Sequence, residues 1–160
     1  MKLIASILCL FVLASADLTE IRKMYPDASK TEESAKAFHE KLAAVADNDA
    51  NKVLVAYKGA SETLLSKYGN TLGKKTKHMK AGASLIDAAV AAESDNIEIR
   101  MVRLSVQESV PKIVRYKKNI KEDKAFIAAN YGKSGNLKEY IKNFILRSKS
   151  FSDEEKKAYK

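Results

Sequence analysis

The sequence predicts an all-α fold of about six or seven helices in antiparallel hairpins, arranged as a short helical-repeat-like stack. Three observations carry that reading. Apolar residues recur at spacings of three and four along most of the chain, which places them on one face of a helix. Capping residues stand just ahead of several of those runs. No alternating Val/Ile/Thr-rich run bounded by turn residues occurs, and after the first sixteen residues the only prolines are Pro26 and Pro111.

The N-terminus is of another kind. Met1 and Lys2 are followed by an uncharged apolar run from Leu3 to Leu13, too short for the roughly 20 apolar residues a membrane span needs. Ala14-Ser15-Ala16 then supplies small residues at the positions a signal peptidase reads, so residues 1–16 are expected to be a signal peptide cut between Ala16 and Asp17. The expected product is one helical domain, residues 17–160, exported to the periplasm or beyond the cell, with no stable transmembrane segment after cleavage. Its only cysteine, Cys9, leaves with the leader, which excludes disulfides, zinc thiolates and cysteine nucleophiles. Losing Lys2 takes the basic total from 29 to 28 against 20 acidic residues, a net of +8.

In chain order, a short helical segment around Leu18 to Met24 precedes Pro26. Ser29 with Glu32 forms a capping box ahead of a helix whose Ala35, Phe38, Leu42 and Val45 share one face. Asp47 to Asn51 is a polar break. The next helix carries Val53, Leu54, Tyr57, Leu64, Leu65 and Tyr68 and stops at Gly69, in the left-handed cap that glycine favours. Thr71 starts a helix from Leu72 to about Glu93, basic in its first half and rich in small residues in its second, where Ala83, Ile86, Ala89 and Val90 permit close packing. Asp95 with Glu98 caps a helix bearing Ile99, Val102 and Val106, which Pro111 ends. A short helix at Ile113–Tyr116 follows, then one from Lys121 to Tyr131 ending at Gly132. The segment Asn136 to Lys149 stripes Leu137, Tyr140, Ile141, Phe144 and Ile145, and Ser152 with Glu155 caps a last turn.

Residues 51–110 resemble a tetratricopeptide-like helical hairpin repeat. Gly82, Ile86 and Ala89 precede Ser94-Asp95-Asn96 at the offsets where that family sets small apolar residues before a Pro-Asp-Asn turn, and Tyr57-Lys58-Gly59-Ala60 matches its first helix. The chain departs from the pattern in three ways: the gap between Gly59 and Gly82 is longer than the family allows, Ser94 replaces the turn proline, and Arg100 and Arg103 occupy apolar positions. The resemblance implies stacked hairpins with a groove between helices. The whole chain also looks similar to exported helical proteins of bacteria, which implies export and no activity.

Catalytic patterns fail at their chemically necessary residues. His39-Glu40 begins a zinc-peptidase helix, but the second ligand position is Ala43, so His39 reads as a helix-surface residue. His78 stands alone among Lys75, Lys77 and Lys80, surroundings hostile to a metal cation. The stretch Gly69 to Gly73 has three residues where a phosphate loop needs four, and Gly132-Lys133-Ser134 has Ile127 at the first glycine position. No nucleophile elbow and no carboxylate pair of glycosidase type can be nominated. No catalytic residue, metal ligand or cofactor is therefore assigned.

Two binding readings remain. Glu98, Arg100, Arg103 and Gln107 fall on successive turns of one helix and, in a repeat-like stack, would meet Tyr57 and Lys58 in a polar groove that grips an acidic segment of a protein or peptide. The plainer expectation for the same residues is solvent-exposed ion pairs. The alternative is a polyanion or envelope surface bound by Lys74, Lys75, Lys77 and Lys80, and by Lys112, Arg115, Lys117, Lys118, Lys121 and Lys124 around Tyr116. An enzyme of unfamiliar type comes third. Nucleic acid is disfavoured by the export signal, and an apolar helix face can serve as core or interface, so the sequence leaves the oligomeric state open.

Overall fold

The computed structural model describes residues 16–160; the segment 1–16 expected to be a signal peptide lies, but for Ala16, outside the described residues. The chain is all-helical. Among the described residues there is no strand, and eight α-helices follow one another: α1 Leu18–Met24, α2 Glu32–Lys41, α3 Lys52–Tyr68, α4 Leu72–Ala92, α5 Ile97–Ser109, α6 Ile120–Asn130, α7 Lys138–Arg147 and α8 Asp153–Lys157. Short 3₁₀ turns at Tyr25–Asp27, Lys112–Val114, Tyr131–Lys133 and Gly135–Leu137 join them. No helix among the described residues is long and apolar enough to cross a membrane.

Side-chain caps satisfy the first free N–H groups and so set most of the starts. Asp17 caps α1, Asn51 caps α3, Thr71 caps α4, and Ser152 with Glu155 forms the box that opens α8. Two caps differ from the sequence reading. Thr31 with Ser34, and not Ser29 with Glu32, opens α2. At α5 the cap is Asn96, whose Oδ1 accepts from the N–H groups of Glu98 and Ile99 at 3.1 and 3.3 Å, so Glu98 is released from capping and turns inward.

The ends differ too. Helix α2 stops at Lys41, and Leu42 and Val45 reach the core from hydrogen-bonded turns beyond it. Gly69 has φ −57° and ψ 137°, an ordinary extended exit and no left-handed cap. Left-handed backbone is found instead at Gly135, with φ 53°, and at Arg115, with φ 57°. Arg115 closes the 3₁₀ turn Lys112–Val114, which stands where a short helix was expected.

Helices α3 and α4 form a long antiparallel pair. Their axes approach so closely at Gly59 and Gly82 that a Cβ on Gly59 would lie 2.7 Å from the Gly82 carbonyl oxygen, and one on Gly82 would lie 2.6 Å from Thr63 Cγ2. Neither glycine can accept a side chain without the helices moving apart. One apolar cluster runs through the molecule from Ile21 of α1 through Phe38, Tyr57, Ile86 and Leu104 to Ile127 and Ile145, with Phe151 closing it. The rings of Tyr25, Phe38 and Tyr57 are mutual neighbours, with centroids 5.6, 5.0 and 6.4 Å apart. Tilted and edge-on contacts of this kind fasten α1 and α2 onto α3.

The outer end of the α3–α4 pair escapes this core. Leu72 to Lys77 are exposed, His78 is half-buried, and Met79 is the first buried residue of α4. Two helical turns thus project past the packed body.

Candidate functional site: buried ion networks and exposed lysines

Helix α5 carries the polar residues singled out in the sequence, and its burial determines what they can reach. Every residue from Glu98 to Leu104 is buried. A charged group in that position needs a hydrogen-bonded partner of opposite sign, because removal from water costs several kcal/mol per ion. Glu98 finds Arg22 of α1 in a two-pronged pair, Nε to Oε1 and Nη2 to Oε2 both at 2.7 Å, the strong bidentate geometry of guanidinium on carboxylate. Tyr57 donates its hydroxyl to Glu98 Oε1 at 2.7 Å and lies 2.9 Å from the Tyr140 hydroxyl of α7. The hydrogen bonds and charge of Glu98 raise the Arg22 pKa. Burial pushes Tyr57 well above the phenol range and Tyr140 up to about 12, because an apolar interior disfavours the ionised form.

One turn along, the arginines face the other way. Arg103 Nε and Nη2 each donate to a different oxygen of Asp123 at 2.7 Å, and Arg100 Nη1 donates to the same carboxylate at 2.9 Å. Asp123, on α6, is fully buried. Glu122 also pairs with Arg100, and Asp87 of α4 lies 3.8 Å from Arg103 while accepting the Tyr116 hydroxyl at 2.9 Å. Burial opposes the charge on both arginines, yet the bonds to Asp123 and Glu122 more than reverse it and raise their pKa values. The same contact, chiefly Arg100, lowers the Glu122 pKa.

The expected groove is therefore corrected. Tyr57 and Glu98 do meet, but Arg100 and Arg103 turn to α6, where their ion pairs with Asp123 are buried and those with Glu122 reach the surface. Lys58 lies elsewhere, bound to the Val45 carbonyl at 2.5 Å and to Asp47 at 2.7 Å. Gln107 is fully buried, with Oε1 unpartnered and Nε2 only 3.4 Å from Asn119. Above the Glu98 network lies a shallow depression of about 250 Å³, lined by Thr19, Arg22, Lys23, Asn136, Leu137 and Tyr140.

The lysines divide differently. Lys74, Lys75, Lys77 and Lys80 are all exposed on α4 and form no ion pair among the described residues. Around the Pro111 turn, Lys112, Arg115 and Lys118 are exposed and likewise unpaired among the described residues, and Lys121 is exposed beyond them. Lys117 bends inward to the Gln107 carbonyl at 2.8 Å, and Lys124 is held by Glu155 at 2.7 Å. Beneath this turn Tyr116 is buried, its hydroxyl fixed on Asp87.

The two histidines are not isolated from each other. His78 Nδ1 lies 2.7 Å from Glu62 Oε2, and His39 Nδ1 lies 3.1 Å from Ser61 Oγ and 3.9 Å from Glu62 Oε1, so one carboxylate of α3 serves rings from α2 and α4. Among the described residues no group of three or more His, Cys, Asp or Glu is placed to hold a metal ion.

Sequence reasoning missed Arg22, Asp123 and Tyr140. Asp123 left one usable trace: it stands one turn before Ile127, on the face of α6 that enters the core, and a carboxylate there demands a buried cation. Arg22 lies 76 positions before Glu98, and Tyr140 lies two helices after it, so neither left any. Also missed were the exposed Leu72 and Ile113. No protein-family model, curated protein or solved structure matches this chain.

Proposed function

We propose that this protein is a non-catalytic, exported binding module that docks on an anionic macromolecular surface through Lys74, Lys75, Lys77 and Lys80 and through Lys112, Arg115 and Lys118. The observation that carries the reading is the sorting of the cations. Arg22, Arg100 and Arg103 are held by carboxylates inside the fold, whereas these seven stand in water without partners among the described residues. A surface that concentrates unpaired charge of one sign attracts polyanions over about 10 Å at ordinary ionic strength.

Arg115 adds support. A left-handed backbone costs a non-glycine residue about 1 kcal/mol, and glycine would remove that cost, yet the turn keeps a cation there. A protein or peptide partner gripped by Arg100 and Arg103 would have to displace Asp123 from both guanidinium groups, which favours the lysine surface over that groove. Export rests on residues 1–16 alone and is part of the same proposal.

The test is retention of the full chain on an immobilised sulfated polysaccharide at low and moderate salt, beside a Lys74→Glu/Lys75→Glu/Lys77→Glu variant. Retention that weakens with salt and falls by roughly tenfold or more in the variant supports the reading. Retention indifferent to both overturns it.

A further inference from the structure

Resting on that reading, we infer that the anionic surface is a phospholipid bilayer, with Leu72 and Ile113 entering the interface while the lysines around them meet the headgroup phosphates. Leu72 is 81% exposed and Ile113 88%, the two large hydrophobic residues left in water among the described residues. Isolated exposed aliphatics are ordinary on protein surfaces. These two differ in their company. Leu72 opens α4 just before Lys74, Lys75 and Lys77, and Ile113 sits between Lys112 and Arg115.

The sequence around each is free of acid. No Asp or Glu occurs from Thr63 to Ile86, or from Ser109 to Lys121, so neither aliphatic has a carboxylate beside it in the chain that an anionic membrane would repel. The acidic residues Glu32, Glu33 and Glu40 lie on α2, whose main packing partner is α3 and not α4. Of the carboxylates nearer these two elements, Glu62 is engaged by His78 and Asp87 by Tyr116, and the asymmetry that remains orients the start of α4 toward the lipid.

Geometry suits the same occupant. The start of α4, Leu72 to Lys77, is exposed on every residue. Its rise is about 10 Å of helix, comparable to the depth at which interfacial helices sit among headgroups and upper acyl chains. Space around the tip is open, since a side chain added at Gly73 would meet nothing within 4 Å. The second element lies toward the same side of the molecule: Tyr116 fastens its turn to Asp87, which shares a face of α4 with Lys80, two turns earlier.

A soluble polyanion would reward the lysines and gain nothing from Leu72 or Ile113. A bilayer interface rewards both, because lysine stems lie along apolar surface while their ammonium groups reach the phosphates.

Vesicle sedimentation separates these cases. The full chain, a Leu72→Ser/Ile113→Ser variant and the Lys74→Glu/Lys75→Glu/Lys77→Glu variant are each mixed with phosphatidylcholine vesicles, with and without phosphatidylglycerol, and with heparin as a soluble polyanion. The expected result is partition of the full chain onto the anionic vesicles, reduced roughly tenfold by each serine. Heparin binding should be unchanged by the serines, and both ligands should be lost in the lysine variant. Both serines replace exposed side chains, so an unchanged melting temperature verifies the fold. Because the chain has no tryptophan, Leu72→Trp provides a second readout: its emission should shift to the blue on vesicles and be quenched by brominated lipid. Heparin binding without vesicle binding, or vesicle binding indifferent to both serines, overturns the lipid inference and leaves the polyanion reading standing. Binding to neither overturns both.

Discussion

Arg100 and Arg103 on α5 and Lys74, Lys75 and Lys77 on α4 are all cations near the start of a helix, and they end in opposite environments. The arginines are buried and share Asp123; the lysines are exposed and have no carboxylate among the described residues. Nothing in the local motif decides this. The arginines go inside because α5 is apolar on both flanks and because α6 delivers a buried acid to meet them, whereas Leu72 to Lys77 at the start of α4 are exposed and the nearest carboxylate on α3, Glu62, is taken by His78. The role of a charged residue is thus set by what the rest of the chain brings to it.

Removing the shared acid should break the comparison most severely. Asp123→Ala leaves two buried guanidinium groups without their carboxylate. A loss of about 3–5 kcal/mol, or roughly 10 °C in melting temperature, is expected by thermal denaturation. A loss below about 1 kcal/mol would show that the arginines do not depend on burial with Asp123.

Alkali attacks the same interior. Burial raises Tyr140 to about 12 and pushes Tyr25, Tyr57 and Tyr116 above the ordinary phenol range. A raised pKa means that the folded state holds its proton more tightly. Stability is full below about pH 10, where the unfolded phenol begins to ionise, and falls by roughly 2–3 kcal/mol through Tyr140 alone as pH rises toward about 12. Tyrosinate absorbance followed beside helical circular dichroism should show these phenols ionising together with unfolding.

Glu98→Gln is a milder cut, since Arg22 keeps 26% of its side-chain surface in water and the amide can still accept from Tyr57. About 2 kcal/mol is expected from chemical denaturation. Gln107→Leu sharpens the contrast from the other side by deleting a buried oxygen that has no partner. It should be neutral or stabilising by up to about 1 kcal/mol. Smallest of all, Lys74→Glu/Lys75→Glu/Lys77→Glu should leave the melting temperature within about 2 °C, because these side chains support nothing in the fold.

Helical periodicity made most of the architecture legible. Ala35, Phe38, Leu42 and Val45 are all buried as their spacing requires, and the Ser152 box stands where it was read. Caps were harder to place where several polar residues compete. Ser29, Thr31 and Ser34 can each accept an N–H, as can Asp95 and Asn96, and the winner depends on the approach of the preceding chain. The polar residues of α5 were visible, but their partners were not. Arg22, Asp123 and Tyr140 belong to helices that meet only after the chain has folded, and no spacing rule connects α5 with α1, α6 and α7. The exposed lysines of α4 could be read directly, since an exposed charge needs no distant partner to define it, but in the second cluster Lys117 turns to Gln107, Lys124 to Glu155 and Tyr116 to the interior, contacts that no local spacing announces.

The crossing of Gly59 over Gly82 makes the α3–α4 pair a lever with a fixed fulcrum. From Gly82 to Leu72 is about 15 Å of helix, so a change of about ten degrees in crossing angle swings the basic tip by roughly 2–3 Å. A single methyl group at either glycine, buried in the body about three helical turns from Leu72, would therefore re-aim the charged end, so two residues that carry no charge set the aim of the surface.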